Sequence, residues 1–243
     1  MNESSLSLVL LAYNEQDLLP ETARACLRYL EKSPDVGELI IVDDGSTDGT
    51  GSLADALAQK HPAVRVVHHR QNRGMGAGMK SGILAAEMKY FVSLPADGQI
   101  SPAEIDKLWP LLENYDFVTS IYRKRNDGLD RTILSGGLRL LLRAGLSVRV
   151  PLEGLYVFPT PAAQEWIKQS LVYSNTFLFS FELLQHAADQ GLDYAVATIE
   201  CRPRTSGRSK VANVRRIMRI LREMAWVQTM RWKTRAGKLF NKE

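Results

Sequence analysis

Apolar, β-rich runs alternate with helical patterns through the first half of the chain. Leu6–Ala12 (LSLVLLA), Glu38–Asp43 (ELIIVD), Val64–His69 (VRVVHH), Lys89–Leu94 (KYFVSL) and Asp116–Ile121 (DFVTSI) read as strands. Between them, Leu18–Leu30 puts Leu19, Ala23, Cys26, Leu27 and Leu30 on one helical face. Ser52–Gln59, Gly78–Met88 and Ala103–Leu112 predict three more helices. Strands that are apolar on both faces, separated by helices, predict an α/β fold with a mostly parallel central sheet covered on two sides. In such sheets ligands bind beyond the carboxyl ends of the strands.

At 243 residues with 45% hydrophobic content, the chain suits one large globular domain with a sizeable core. No stretch approaches the roughly 20 apolar residues of a membrane span. The polar start Met1–Ser5 runs directly into strand, so no signal peptide is expected. Cys26 and Cys201 stand in no metal-ligand spacing and read as reduced packing thiols of a cytoplasmic protein. The net charge of +4 conceals an asymmetry. Residues 208–243 carry 11 Lys/Arg against Glu223 and Glu243, a net of +9, while residues 1–207 carry 20 Lys/Arg against 25 Asp/Glu, a net of −5. The basic excess is a C-terminal feature and points to an anionic surface as partner. Nucleic acid is a poor candidate, because the acidic strand ends would repel it.

Three predicted strands end in polar clusters: Tyr13-Asn14-Glu15, then Asp43-Asp44-Gly45-Ser46-Thr47-Asp48, then Asp97-Gly98-Gln99. Each alone is explained by turn chemistry, and Asp44 or Ser46 could simply cap the next helix. Three at one sheet edge favour a ligand site. The glycine-rich NRGMGAG (Asn72–Gly78) could present backbone N–H groups to phosphate, or could serve a close turn and a tight helix–sheet contact. His68 and His69 have no partner at metal spacing and read as a strand end. Serine and cysteine nucleophile motifs are absent.

In this order, AYNEQDLLP, IIVDDGSTDGT, NRGMGAGMKSGILAA and PADGQISPAEI resemble the family 2 glycosyltransferases of the GT-A (Rossmann-like) fold. Within that family the likeness is greatest to the dolichyl- and polyprenyl-phosphate sugar transferases, and it covers residues 6–210. The resemblance implies that Tyr13, Glu15, Asp43 and Asp44 hold the base and ribose of a nucleotide-sugar. It implies a divalent metal, Mg2+ or Mn2+, on Asp97 and Gln99 in an Asp-x-Asp-x-Gln turn. Here that turn is Pro95-Ala96-Asp97-Gly98-Gln99, and Pro95 replaces the first carboxylate. Mg2+ is commonly held by one or two carboxylates with phosphate and water completing the shell, so a weakened metal site is expected.

The acceptor half is basic. YRKRNDGLDRTILS (Tyr122–Ser135) and RPRTSGRSK (Arg202–Lys210) are similar to the family's acceptor-phosphate segments. That similarity assigns the acceptor phosphate to Arg131, Ser135, Arg204 and Lys210, with Arg123 and Arg125 beside them, and makes Asp97, Arg131 and Lys210 the catalytic set. A phosphate monoester already carries negative charge at neutral pH, its second pKa being about 6, so no general base is required. VPLEGLYVF (Val150–Phe158) departs from the family's usual segment by Val150 and Tyr156 in place of charged groups and by the added Glu153.

The expected organisation is a domain over residues 1–210, with a donor half to about 115 and an acceptor half beyond it, followed by a basic amphipathic helical tail over 211–243. The tail reads either as a packing helix or as an interfacial helix anchored by Trp226, Trp232 and Phe240. The implied activity is inverting sugar transfer to a polyprenyl phosphate, peripheral to the cytoplasmic membrane face. Two alternatives stand beside it. One is transfer to a soluble or polysaccharide hydroxyl, with Glu153 or Asp127 as base. The other is a non-catalytic nucleotide-sugar-binding protein.

Overall fold

The computed structural model describes residues 5–32, 36–123, 149–202 and 221–230. The seven strands of one sheet are β1 (Ser5–Ala12), β2 (Val36–Asp43), β3 (Val64–His68), β4 (Tyr90–Pro95), β5 (Phe117–Tyr122), β6 (Tyr156–Pro159) and β7 (Tyr194–Ile199). They lie in the order β3-β2-β1-β4-β6-β5-β7. β6 runs antiparallel to β4 and β5, and every other pairing is parallel. The mostly parallel sheet expected from the sequence is therefore present, with two strands that the pattern did not announce, the reversed β6 and the edge strand β7.

The helices are α1 (Leu19–Lys32), α2 (Thr50–Lys60), α3 (Met75–Ala85), α4 (Thr160–Lys168), α5 (Leu178–Asp189) and α6, residues 221–230. One face of the sheet buries Leu8 and Leu10 against Leu19, Ala23, Cys26 and Ala54 of α1 and α2. On the other face Met79 and Ile83 of α3 join Phe91, Phe117, Phe158, Phe179 and Leu183. This alternation follows from the period of two along a strand. Gly82 makes the second contact close: a Cβ there would lie 2.3 Å from Val9 Cγ1.

Two sequence expectations need correction. Ala103–Leu112 is not an α-helix but two 3-10 segments, Pro102–Lys107 and Trp109–Glu113, meeting at Leu108. Pro110 has no N–H to donate, and its ring obstructs the carbonyl four residues back, so an α-helix cannot run through it. α3 spans Met75–Ala85 rather than Gly78–Met88, because Gly74, at φ 94°, ends the preceding turn and starts the helix early.

Candidate active site at the carboxyl edge of the sheet

The ends of β2, β1 and β4 lie side by side, with Ala12 paired to Asp43 and Leu11 to Pro95. The Asp43 and Asp97 turns therefore flank the end of β1, about 10 Å apart across two strand spacings. The Asp44 N–H donates to Ala12 O at 2.9 Å, and the Ala96 N–H donates to Leu11 O at 2.9 Å. Both turns are thus tied to the same central strand.

The turn after β1 is locked to the turn after β2. The Asn14 N–H donates to Ser46 Oγ at 3.0 Å, the Thr47 N–H returns to Asn14 Oδ1 at 2.8 Å, and the Glu15 N–H donates to Thr50 Oγ1 at 2.9 Å. Asn14 adopts φ 53°, which an Asx side chain tolerates. Gly45 is required at φ 71°, since a Cβ there would stand 2.3 Å from the Gln71 carbonyl carbon. Tyr13, predicted to meet the nucleotide, is an exposed aromatic directly after β1, and Glu15 is half-buried beside it.

Asp43 and Asp44 are both buried but differently employed. Asp43 Oδ1 accepts the Ser46 N–H at 3.0 Å, and its Oδ2 meets His68 Nδ1 at 3.0 Å. Burial opposes ionisation of Asp43, but the hydrogen bonds from Ser46 and His68 outweigh it and hold its pKa below the usual carboxylate range. Asp44 gathers the Arg73 N–H on Oδ1 and the Gly74 N–H on Oδ2, each at 2.9 Å, and meets His69 Nδ1 at 2.6 Å. The Arg73 and Gly74 N–H groups of the glycine-rich segment are therefore spent on Asp44 rather than presented to phosphate, which supports the turn-and-contact reading for the start of that segment. Nor does Asp44 or Ser46 cap α2. That turn is closed by Asp48 Oδ1, which accepts the Thr50 N–H at 2.9 Å and the Thr50 hydroxyl at 2.5 Å.

His68 and His69, read from the sequence as a bare strand end, are the partners of this doublet. The signal that could have found them is the equal doublet spacing: with Asp43 in register with His68, Asp44 falls beside His69.

At the end of β4, Gly98 takes φ 68° and Asp97 Oδ1 accepts the Gln99 N–H at 3.1 Å. Thr22 Oγ1 on α1 donates to Ala96 O at 3.1 Å and pins the base of this turn. Gln99 Nε2 donates to Arg202 O at 3.4 Å, which leaves its amide oxygen as the remaining acceptor. Among the described residues no three His, Cys, Asp or Glu converge as a metal cage. One carboxylate and one amide oxygen still fit Mg2+ or Mn2+, hard cations that take one or two protein oxygens when a diphosphate fills further positions.

Of the residues that the resemblance assigns to an acceptor phosphate, Arg123 follows β5, largely exposed, with its guanidinium 3.5 Å from Glu200. Arg125, Arg131, Ser135, Arg204 and Lys210 lie outside the described residues, as do Lys124 and Asp127. Glu153, the other candidate base, accepts the Tyr122 N–H at 3.1 Å at the end of β5. Its neighbour Gly154 packs closely, since a Cβ there would come within 2.4 Å of Ile199 Cδ1 and 3.0 Å of Ser120 Oγ.

Residues 221–230 of the basic tail form α6, which docks on the domain. Met224 and Val227 bury against Leu178, Glu223 Oε1 accepts the Asn175 N–H at 2.6 Å, and Trp226 meets Tyr173 edge to face. Trp226 and Leu221 nevertheless remain exposed. No helix among the described residues is long and apolar enough to cross a membrane.

Comparison with known proteins places this edge in context. Residues 7–177 match the sequence model of the family described as Glycosyl transferase family 2. A dolichyl-phosphate beta-glucosyltransferase of Dictyostelium discoideum is 41% identical over 38% of this chain and 31% of its own length. A dolichol-phosphate mannosyltransferase of Saccharomyces cerevisiae is 29% identical over 62% of this chain and 59% of its own. The chain thus spans between about a third and about three-fifths of these curated relatives. Among solved structures, glucosyl-3-phosphoglycerate synthase from Mycobacterium tuberculosis, in complex with Mn2+, UDP and glucosyl-3-phosphoglycerate, superposes with a TM-score of 0.61. It is 26% identical and is matched over 84% of this chain and 73% of its own.

Proposed function

The chain belongs to glycosyl transferase family 2, and from that premise we propose that it transfers a sugar from a nucleotide-sugar to a polyprenyl phosphate. The observation that carries this reading is the pairing of the Asp43 and Asp97 turns on either side of β1, in a chain whose relatives are named for dolichyl-phosphate transfer. In this reading Asp43 meets the nucleotide, with Tyr13 and Glu15 beside it, and Asp44 serves as the scaffold that folds the Arg73–Gly74 turn. Asp97 and Gln99 hold a divalent cation, which when bound supplies positive charge to the leaving diphosphate.

Arg131, Ser135, Arg204 and Lys210, with Arg123 and Arg125, grip the acceptor phosphate. Catalysis then consists of holding two anions in line and stabilising the leaving group. A single displacement inverts the anomeric centre. The net +9 of residues 208–243 supports a peripheral position on an anionic membrane face. The test is transfer of labelled sugar from UDP-glucose or GDP-mannose to a polyprenyl phosphate in detergent, with Mg2+ or Mn2+. Donor hydrolysis with no lipid product would overturn the acceptor assignment.

A second reading is favoured by one observation, the likeness over 84% of the chain to a synthase named for glucosyl-3-phosphoglycerate. The acceptor would then be a soluble phosphorylated hydroxyl compound, and Glu153 is the described carboxylate available as base. A Glu153→Gln variant that transfers to lipid phosphate at full rate argues against it.

A further inference from the structure

We propose that His68 is a proton-sensitive positioning residue for donor binding, its ring bridging Asp43 on β2 and Asp55 on α2 so that its charge state sets the hold on the Asp43 carboxylate. The inference rests on the reading of Asp43 as a nucleotide contact.

The geometry is specific. His68 closes β3, the edge strand, in register with Asp43, so both side chains leave the sheet on the α2 face. Nδ1 lies 3.0 Å from Asp43 Oδ2 and Nε2 lies 3.0 Å from Asp55 Oδ1. α2 comes this close because residue 51 is glycine: a Cβ would sit 2.9 Å from Asp43 Oδ2 and 3.5 Å from His68 Cε1. α3, packed on the opposite face, reaches β3 through Ser81, which bonds His69 and not His68. The ionisable groups bonded to His68 are thus two carboxylates and no cation.

Two carboxylates at the two ring nitrogens demand two donors, and only the imidazolium has two. The hydrogen bond with Asp55 favours the charged ring, burial opposes it, and the bond with Asp43 favours it again, so the pKa lies above its ordinary 6.5. As pH rises through that raised value, the ring keeps a single proton. One carboxylate then faces a bare nitrogen, and the edge loses a positive charge beside an anionic ligand. The same proton stabilises the fold below pH about 6.5, and its contribution is lost as pH rises through the raised pKa. His68 is well exposed, so exchange with solvent is direct.

The experiment is calorimetric titration of the full chain with UDP-glucose and GDP-mannose, with Mg2+, from about pH 6 to about pH 8, where neither ligand's diphosphate titrates. Wild-type affinity for the sugar that binds should fall at least about fivefold, the low end of typical coupling between sites. His68→Gln, which keeps one donor at every pH, should be flat, and His68→Ala weak throughout. Asp55→Asn leaves the Asp43–His68 bond in place and should move the midpoint to lower pH, an effect a merely structural histidine would not show. By reciprocity, saturating ligand should raise the His68 pKa seen by NMR. If His68→Gln keeps the wild-type slope, or Asp55→Asn leaves the midpoint alone, while Asp43→Asn weakens binding, the His68 inference fails and the donor reading stands. If neither ligand binds wild type, or Asp43→Asn binds normally, both fail. Should His68→Gln not fold, Asp55→Asn and the NMR titration still decide.

Discussion

The Arg202 N–H donates to Gln99 O at 2.8 Å, and the Gln99 side chain returns to Arg202 O. The Asp97-Gly98-Gln99 turn is thereby stitched to the start of the basic segment that runs on toward Arg204 and Lys210. Under the proposed function, donor diphosphate and acceptor phosphate meet at this seam.

Asp97→Asn should therefore abolish metal-dependent nucleotide binding and transfer. A turn side chain contributes little packing, so the unfolding free energy from urea titration should stay within about 0.5 kcal/mol of wild type. Gln99→Ala should weaken donor binding and also raise the KM for lipid phosphate, because it loosens Arg202. Unchanged turnover in Asp97→Asn would remove the metal assignment.

Pro95 pairs with Leu11 at the last position of β4, and the next N–H, of Ala96, makes the bond to Leu11 O. Substitution at Pro95 removes no donor from the sheet. Pro95→Asp should accordingly fold, and a second carboxylate beside Asp97 should lower the Mg2+ or Mn2+ concentration needed for half-maximal activity. Metal dependence identical to wild type would count against a weakened metal site.

Asp44→Ala should act on stability first. It strands the buried His69 ring and the part-buried Arg73 and Gly74 N–H groups, at a cost of about 2–4 kcal/mol. Denaturant unfolding measures this directly. A loss below about 0.5 kcal/mol would mean that water replaces the carboxylate.

Val227→Asp should detach α6, since it places a charge against Leu178 where Met224 and Val227 are buried. Limited proteolysis should then cut near residue 221 while the sheet domain survives. Truncation after Lys210 should weaken sedimentation with anionic vesicles, and raised salt should do the same to the intact chain, since exposed charges are screened beyond about 10 Å at 0.1 M. Binding indifferent to both would leave α6 as a packing helix alone.

Burial of Cys26 on the inner face of α1 pushes its thiol pKa up to about 12, whereas Cys201 is only half-buried. Folded protein at about pH 8 should take up one equivalent of iodoacetamide, at Cys201, and a second only in denaturant. Prompt labelling of Cys26 in the native state would show that α1 opens readily.

The chain by itself determined five of the seven strands and where their polar ends fall. Short apolar runs bounded by turn residues and rich in β-branched side chains favour strands covered on two sides, and Asp43, Asp44 and Asp97 stand at or just beyond their ends. Turn chemistry is local, so Gly45 and Gly98 mark the turns without reference to anything distant. Pro110 forbade a continuous α-helix over Ala103–Leu112 despite its apolar spacing. Partnership was another matter. His68 and His69 sit 25 residues from Asp43 and Asp44, and Glu223 sits 48 from Asn175. Those contacts depend on strand register and helix docking, which arise from summed burial over the whole core rather than from any local pattern. The tertiary structure therefore decided that Asp44 organises the glycine-rich turn, that Asp43 answers to a histidine, and that part of the basic tail lies against the domain.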